Sequence, residues 1–373
     1  MLAEWPSGLV PIRGAEIRPG ASAELRQSVR MVIRSRAPLR LGFAGGGTDV
    51  SPYCDRFGGA ILNATIDLYA TAVLHPRDDG RVRFHAPDRD AVFEAEAAAQ
   101  FPLEEPLVLH KAVYNHIIRQ YAGGRPLALD LTTYSDAPAG SGLGASSTLC
   151  VTMVQAFTEW LHLPLGLHEV AQTAFQIERV ELAMDGGRQD QFAAAFGGFN
   201  FMEFFELNRV IVNPLRLKPW IEAELEASIV LFYTGVSRDS AAIIERQIRN
   251  LKIATPEALE GFHSIKRQAY EMKETLIRGD IRAFAASLGE SWHAKKRTAE
   301  GISTSVIEAA LEAGMSHGAY AGKVSGAGGG GFVMLIVDPL KRVGVIRALE
   351  QLPGQVLPCH FTHEGVQTWS IAE

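Results

Sequence analysis

A glycine- and serine-rich segment at residues 138–147 has the composition of a loop that binds phosphate. It reads Pro-Ala-Gly-Ser-Gly-Leu-Gly-Ala-Ser-Ser, so three glycines stand at alternate positions. Glycine lacks a Cβ, which lets the backbone approach a triphosphate, and serine adds hydroxyl donors or a metal ligand. A flexible glycine turn capped by Ser146 or Ser147 is the alternative. The candidate nucleotide-binding residues are Pro138, Gly140, Ser141, Gly142, Leu143, Gly144, Ala145, Ser146 and Ser147.

Two carboxylates that follow this segment could complete such a site. Glu178 lies on an apolar stripe of a helix predicted over residues 168–185, where a bare buried carboxylate would cost several kcal/mol. Mg²⁺ would compensate it, because this ion takes one or two protein oxygens and fills its shell with water and phosphate. An ion pair with Arg179 or another cation is the alternative, and Glu181 is a second candidate for the metal ligand.

Asp190 lies in a polar turn at residues 185–191. A carboxylate can act as a base or an orienting group for a hydroxyl that accepts a phosphoryl group. A solvated turn aspartate fits the local sequence equally well.

The predicted elements place the glycine segment between a strand and a helix. Apolar and polar residues alternate over 127–131, which predicts a half-buried strand. Apolar residues then recur at steps of three and four over 150–161, which predicts an amphipathic helix. The free N–H groups and the positive dipole end of that helix would face the loop, which favours an anion. The segment has neither a Walker A ending nor the Gly-x-Gly-x-x-Gly pattern of a dinucleotide fold.

Two further glycine clusters flank other predicted strands. Residues 45–47 follow an apolar segment at 39–43, and residues 326–331 precede a strand-like run at 332–337. Strands followed by mixed helices and strands indicate an α+β protein in two parts. Further helices are predicted at 240–251, 256–278, 281–297 and 304–316. The predicted divisions are an extension at 1–30, with Met31 as a candidate start, a first domain at 31–207 and a second at 208–373.

Composition excludes several classes of function. The chain has 373 residues, is 47% hydrophobic and carries a net charge of −6, so it offers no broad positive field for nucleic acid. Its longest apolar run, at 332–337, is too short for a bilayer. The three widely spaced cysteines fit reduced thiols and a cytoplasmic location.

Three ordered motifs resemble those of the GHMP kinases, a superfamily named for galactokinase, homoserine kinase, mevalonate kinase and phosphomevalonate kinase. Residues 37–41 with 46–49 resemble the first motif, residues 138–147 the second and residues 323–331 the third. The resemblance implies a first domain like the second domain of ribosomal protein S5, a ferredoxin-like second domain, and an active site in the cleft between them. It also implies ATP and Mg²⁺ as cofactors.

The same resemblance implies roles for individual residues. Glu178 and Ser146 would hold the metal, and Asp190 would be the catalytic aspartate. Arg40 matches the arginine of the first motif and is expected to lie beside Asp190 and stabilise the transferring phosphoryl group. Ala145 stands where the family often has serine, so the hydroxyl ligand is expected from Ser146 alone.

On the acceptor side, the sequence resembles sugar kinases. Residues 47–49 resemble the sugar-side motif of galactokinases and fucose kinases, and together with residues 187–191 and the third motif they most resemble D-glycero-D-manno-heptose 7-phosphate kinases. Those enzymes phosphorylate the anomeric hydroxyl and make a 1,7-bisphosphate for GDP-heptose and surface polysaccharide biosynthesis. The candidate substrate-binding residues are Gly47, Thr48, Asp49, Arg188, Lys323, Ser325, Gly326 and Gly329.

Arg188 stands where fucose kinase-like segments tend to carry tryptophan. A cation there could pair with a phosphate already on the substrate, with Lys323 as an alternative partner. An exposed arginine bonded to Asp185 is the plainer interpretation.

Two other functions stay open at this level. One is a fucokinase- or galactokinase-like enzyme for an unphosphorylated sugar, and the other is a catalytically silent GHMP-fold protein that regulates by binding a ligand. The expected partners are a small sugar phosphate and ATP, without nucleic acid or membrane, and a homodimer is compatible with the sequence.

Overall fold

The computed structural model describes residues 31–138, 140–236, 240–253 and 255–372. The predicted extension and the candidate start at Met31 concern residues 1–30, which lie outside the described residues. The described strands are β1 Met31–Ala44, β2 Gly59–Pro76, β3 Arg81–Ala86, β4 Ala91–Glu96, β5 Leu129–Ser135, β6 Phe199–Phe204, β7 Val210–Pro214, β8 Ile229–Tyr233, β9 Ala319–Val324, β10 Phe332–Val337, β11 Gln355–Leu357 and β12 Gln367–Ala372.

The α-helices of the same residues surround two sheets. Their bounds are α1 Tyr53–Phe57, α2 Val108–Gln120, α3 Ala145–Trp160, α4 Leu167–Phe175, α5 Gln189–Phe196, α6 Pro219–Ser228, α7 Ser240–Lys252, α8 Pro256–Arg278, α9 Ile281–Lys296, α10 Ser305–Ser316 and α11 Arg342–Leu349. A short 3-10 turn, Pro87–Arg89, and a π-helical turn, Gln176–Glu181, complete the set. No described helix is both long and apolar enough to cross a membrane.

The first sheet has eight strands in the order β12-β1-β2-β5-β3-β4, with β6 paired to β2 and β7 paired to β6. All of its pairs are antiparallel except β3 with β5. The second sheet is antiparallel, with the order β11-β8-β10-β9. Long connections therefore bring strands that are distant in the sequence side by side.

β1 contributes side chains to two cores, on either side of a register shift between Pro38 and Arg40 in its pairing with β2. Ile33 and Ala37 join a core with helices on one side of the first sheet. Leu39, Leu41 and Phe43 join a second core that also contains residues of α8, α9 and β10. The two sheets and the helices between them are thus joined by shared apolar burial, which is the main favourable term in folding.

The predicted helices after residue 240 are confirmed to within about two residues, the usual uncertainty of helix ends. The helix predicted over 168–185 is wrong in its second half. α4 ends at Phe175, and the chain continues as the π-helical turn Gln176–Glu181. Periodicity does not reveal the extra residue of a π turn, a feature found frequently at functional sites.

The strand pairing cuts across the predicted division at residues 207 and 208. β7 follows that position yet pairs with β6, and β12 pairs with β1, so both belong to the first sheet. Backbone hydrogen bonds join β6 to β7 as antiparallel neighbours. Asn208 therefore lies in the turn between these two strands and does not separate two domains.

Candidate active site

The three glycine segments converge on a cleft of about 480 Å³. The first lies after β1, the second between β5 and α3, and the third between β9 and β10. The predicted site residues that line the cleft are Arg40, Gly47, Asp49, Gly140, Ser141, Gly142, Gly144, Ala145, Ser146, Ser147, Asp190 and Gly326. The structure therefore brings together residues that lie up to 286 positions apart in the chain.

The second and third glycine segments pack backbone against backbone. A Cβ built on Gly142 would lie 2.4 Å from the carbonyl oxygen of Ser325, and one on Gly326 would lie 2.7 Å from the Cα of Gly142. Phe332 N donates to the carbonyl of Ser141 over 3.0 Å. Since real Cβ atoms do not approach other atoms so closely, only glycine fits at these two positions.

The loop that precedes α3 ends on Gly144, which has φ of +81° and occupies the N-cap. No side chain caps this helix, so the alternative of a turn capped by Ser146 or Ser147 is wrong. The Ser147 hydroxyl instead accepts hydrogen bonds from Arg179 Nη2 and Gln191 Nε2. The free N–H groups of the first turn of α3 lie at the cleft wall, where they favour an anion.

Arg40 and Asp190 form an ion pair at the floor of the cleft. Arg40 Nε and Nη2 both approach Asp190 Oδ1, at 2.7 and 2.6 Å, while Nη1 donates to the Gly142 carbonyl over 2.6 Å. Asp190 also packs against the phosphate-loop candidate, because a Cβ on Gly144 would meet its Cγ at 3.1 Å. A carboxylate, a guanidinium and a glycine loop therefore share one small volume.

Asp49 is buried beside this pair and is held by backbone. Its Oδ2 accepts from the N–H groups of Arg188 and Gln189, at 2.8 and 3.0 Å, and its Oδ1 accepts from Gly47 N at 3.3 Å. Burial raises the pKa of Asp49 above its ordinary value, although the backbone donors oppose the shift. A carboxylate has about four lone-pair sites, so Asp49 can still accept a hydrogen bond from a ligand hydroxyl.

Gly187 gives a first testable prediction, because a Cβ there would lie 1.8 Å from Asp49 Oδ2. Gly187→Ala is expected to lower the free energy of unfolding by about 1–3 kcal/mol and to raise KM for the acceptor, since Asp49 must move. Urea denaturation and initial rates measure both. Gly344→Ala is the control, because nothing lies within 4 Å of that Cβ on α11, and it should be neutral or stabilising. Equal effects of the two substitutions would contradict the prediction.

Glu178 and Ser146 are joined by a hydrogen bond at the edge of the cleft, where Ser146 but not Glu178 lines the wall. Glu178 is fully buried on the π-helical turn, and its Oε1 lies 3.0 Å from Ser146 Oγ, which faces the cleft. Adjacent oxygens around an octahedral ion with bonds of about 2.1 Å lie about 3.0 Å apart, so the two side chains fit Mg²⁺. The predicted alternative, an ion pair with Arg179, is also present, with Arg179 Nη2 at 4.0 Å from Glu178 Oε2.

Two other cations do not reach the cleft as predicted. Arg188 is buried, donates to the Phe205 carbonyl and the Ser51 hydroxyl, and lies 3.7 Å from Asp55 Oδ1. Lys323 Nζ donates to the carbonyls of Gly42 and Phe43, at 2.9 Å each. The structure differs from the predicted contacts of these cations with a substrate phosphate. The charged groups of both side chains bind other protein atoms instead. Arg188 is not bonded to Asp185 either.

Five more predicted binding residues act through the backbone or the core in this structure. Thr48 is buried and bonds the backbone of Gly45 and Ala60, so it fixes the loop after β1. Thr48 therefore lies beside the cleft but does not line its wall. Ser325 is a partial case, because its hydroxyl is buried between Arg40 Nη1 and the Gly142 carbonyl. The others are Pro138, whose carbonyl accepts from Ser141 N, Leu143, which lies in the second core, and Gly329, which donates to the Ile302 carbonyl.

Lys295 is a cleft residue that the sequence analysis missed. It lies near the end of α9, lines the cleft and donates to the Gly326 carbonyl. Burial lowers the pKa of Lys295 to about 8, with a further contribution from Arg40, while Asp49 and Asp190 oppose the shift. No motif or spacing marks this lysine, so only the folded chain reveals it.

Comparisons with known proteins agree with this architecture. Residues 108–198 match the family profile "GHMP kinases N terminal domain" and residues 272–353 match "GHMP kinases C terminal". The chain is 47% identical over 339 residues to D-glycero-alpha-D-manno-heptose 7-phosphate kinase of Campylobacter jejuni, covering 91% of this chain and 99% of that protein.

This chain belongs to the GHMP kinases. GHMP kinases are ATP-dependent phosphotransferases, so the chain is an enzyme of that type. The two-domain GHMP fold expected from the three motifs is confirmed.

Solved GHMP kinase structures extend the comparison. A D-glycero-D-manno-heptose 1-phosphate kinase from Bacteroides thetaiotaomicron superposes with a TM-score of 0.78 at 44% identity, covering 91% of this chain and all of that one. Lactococcus lactis galactokinase complexed with galactose superposes with a TM-score of 0.71 at 17% identity, covering 92% and 97%. The second likeness shows the fold alone.

Proposed function

We propose that this GHMP kinase transfers a phosphoryl group from ATP to the anomeric hydroxyl of a sugar phosphate. The proposed acceptor is D-glycero-D-manno-heptose 7-phosphate, which would become the 1,7-bisphosphate used in GDP-heptose and surface polysaccharide biosynthesis. The ion pair of Arg40 and Asp190 beside the glycine loop is the observation that carries the proposal. The high identity to a heptose 7-phosphate kinase supports the choice of acceptor.

Asp190 is proposed to accept the proton of the attacking hydroxyl. Its carboxylate lies on the cleft wall, next to the loop, and is 20% exposed, so an acceptor can reach it. Phosphoryl transfer requires mainly in-line positioning and charge stabilisation from the protein. The pair with Arg40 orients the carboxylate, while Asp49 can accept a hydrogen bond from a further hydroxyl of the sugar.

Nucleotide phosphates are proposed to bind at the loop before α3, where backbone N–H groups and the helix N-terminus favour anions. Ser146 and Glu178 would hold Mg²⁺. The ion, when bound, supplies positive charge that neutralises phosphate oxygens. Arg179 lines the same side of the cleft and donates to Ser147 Oγ and the Gly187 carbonyl, so it adds a positive charge near the loop.

A substrate panel tests this proposal. ADP release is measured with heptose 7-phosphate, mannose 6-phosphate, fucose and galactose, each with and without Mg²⁺. The expected result is the highest kcat/KM with heptose 7-phosphate and loss of activity in EDTA. Preference for fucose or galactose would favour the alternative of a kinase for an unphosphorylated sugar. A fucokinase of Bacteroides fragilis, 24% identical to this chain, is a distant relative with such an acceptor in its name.

A catalytically silent binding protein is the second alternative, and the same assay addresses it. No ADP release with any acceptor, in a sample that is folded, would favour it. The hydrogen-bonded pair of Ser146 and Glu178 and the ion pair of Arg40 and Asp190 weigh against this alternative, because a binding module has no need for both arrangements in one cleft.

A further inference from the structure

Lys295 stands out among the cations of the cleft. Within the described part of the chain, the cleft wall has three cationic side chains, those of Arg40, Arg179 and Lys295. Arg40 is held by Asp190, and Arg179 lies on the loop side against Ser147. Lys295 is therefore the cation of this set that is not committed to a carboxylate or to the loop.

The position of Lys295 is on the acceptor side, which we define as the wall formed by Gly46, Gly47, Asp49 and Gln189. Its Nζ lies 3.5 Å from where a Cβ on Gly46 would be. The same wall includes Asp49, whose backbone bonds hold its carboxylate in place. A ligand that contacts Asp49 would thus lie within reach of the ammonium group.

The hydrogen bonds of the ammonium group leave capacity for a ligand. An ammonium has three N–H donors, and among the described residues Lys295 Nζ donates to one acceptor, the Gly326 carbonyl. Lys295 as a whole residue is 4% exposed, so water can satisfy the other donors only from within the cleft. A buried, partly satisfied cation is costly unless an anion joins it.

Other candidates for a phosphate on this side are unsuitable. Arg188 and Lys323 direct their charged groups to internal carbonyls. Asp49 and Asp190 would repel an anion. Among the described residues, an acceptor that carries a phosphate therefore has Lys295 as its cationic partner on this side, and a phosphoryl group that leaves the nucleotide would meet Lys295 in addition to Arg40.

We propose that Lys295 Nζ binds phosphate oxygens on the acceptor side of the cleft. The phosphate has two candidate sources, the group already on the sugar acceptor and the phosphoryl group in transfer. Both sources rest on the proposed function. The shared chemistry is a charge-assisted hydrogen bond between an ammonium and a phosphate oxygen. Lys295 would then determine either which acceptors are used or how fast they react.

Lys295→Met tests the proposal, with Lys296→Met as the matched control. Methionine keeps an unbranched apolar side chain and removes the charge. Lys296 is the next residue of α9, but its Nζ pairs with Glu308 at 3.2 Å and is outside the cleft wall. Lys295→Met is expected to lower kcat/KM for heptose 7-phosphate about 10- to 100-fold, whereas Lys296→Met should stay within about twofold.

The acceptor distinguishes the two sources. The same rates are measured with heptose that lacks the 7-phosphate. A loss confined to heptose 7-phosphate, mainly in KM, would identify the phosphate on the sugar. An equal loss in kcat for both acceptors would identify the phosphoryl group in transfer. No loss in Lys295→Met, or an equal loss in Lys296→Met, would overturn the proposal.

The pH dependence supplies a second readout. Lys295 is faced by Arg40 of β1, Asp49 of the following loop, Asp190 of α5 and Lys323 of β9. Because the pKa of Lys295 is about 8, the ammonium is charged below that pH and neutral above it. Wild-type kcat/KM should therefore fall as the pH rises through about 8, and Lys295→Met should lack this decline. The same decline in the variant would contradict the assignment.

A binding experiment separates this proposal from the proposed function. Inorganic phosphate is added to the full chain with saturating ADP, and the thermal midpoint is measured. Phosphate should raise the midpoint of the wild type and of Lys296→Met, but not of Lys295→Met. That result would support the phosphate site even if no sugar of the panel is phosphorylated. An equal rise in all three proteins would overturn it even if the kinase assay succeeds.

Discussion

Asp190→Asn is expected to lower kcat about 10²- to 10⁴-fold, the range that general base catalysis contributes. Asparagine keeps the size of the side chain and can still accept from Arg40, but it cannot take a proton at neutral pH. Initial rates with saturating ATP and acceptor measure the effect. Binding of the acceptor should change less than kcat, because Asp49 and the cleft wall are unaltered.

The control for this variant is Asp130→Asn on β5. Asp130 also accepts from an arginine, with Arg77 Nη1 at 2.7 Å from its Oδ1, but it lies away from the cleft. Asp130→Asn should therefore keep kcat within about twofold, as expected for a partly exposed pair far from the reacting groups. Retention of more than about a tenth of kcat in Asp190→Asn would remove that residue as the base. Denaturation midpoints of both variants exclude unfolding as the cause.

Glu178→Gln is expected to weaken the activation of the reaction by Mg²⁺, which is the second large effect. The carboxylate accepts from Ser146 Oγ and from Gln191 Nε2, at 3.0 and 2.6 Å. An amide offers one acceptor oxygen and lacks the charge, so it would hold a divalent ion poorly. Mutation of a residue that supports a metal ligand typically lowers metal affinity about 10- to 100-fold. The apparent activation constant for Mg²⁺ is expected to rise by at least that factor.

Glu181→Gln is the matched control for the metal prediction. Glu181 lies three positions further along the π-helical turn and accepts from His116 Nδ1 and Arg119 Nη2, at 2.7 and 2.6 Å. These bonds point it toward α2, away from the cleft wall. Titration of initial rates with Mg²⁺ should give wild-type behaviour for Glu181→Gln. An unchanged activation constant in Glu178→Gln would contradict the proposed metal pair.

Much of the site could be predicted because its motifs are local. The glycines at 140, 142 and 144 lie in one loop, and the strand and helix on either side are visible in the hydrophobic pattern. Glycine clusters also mark places where backbones approach closely, as Gly142 and Gly326 do. These features need few residues and little tertiary context, so sequence reasoning finds them.

The direction of the long charged side chains could not be predicted. Arg188 follows a glycine turn that does reach the cleft, yet its guanidinium contacts Phe205, whose backbone is brought near by β6. Lys295 belongs to a helix whose sequence ends in two adjacent lysines, Lys295 and Lys296. Which of them is buried depends on the third glycine segment, 31 residues further along. Such choices are made by distant backbone rather than by local spacing.

The pairing of β12 with β1 places the two described chain ends side by side, with Met31 opposite Ala372. Neighbouring ends allow a short linker to join them and a new opening to be made elsewhere. The turn at residues 78–80, between β2 and β3, is exposed and far in sequence from every cleft segment. In a circularly permuted chain opened there, with residues 1–30 omitted and residues 372 and 31 joined, the cleft segment after β1 would follow all the other cleft segments instead of preceding them.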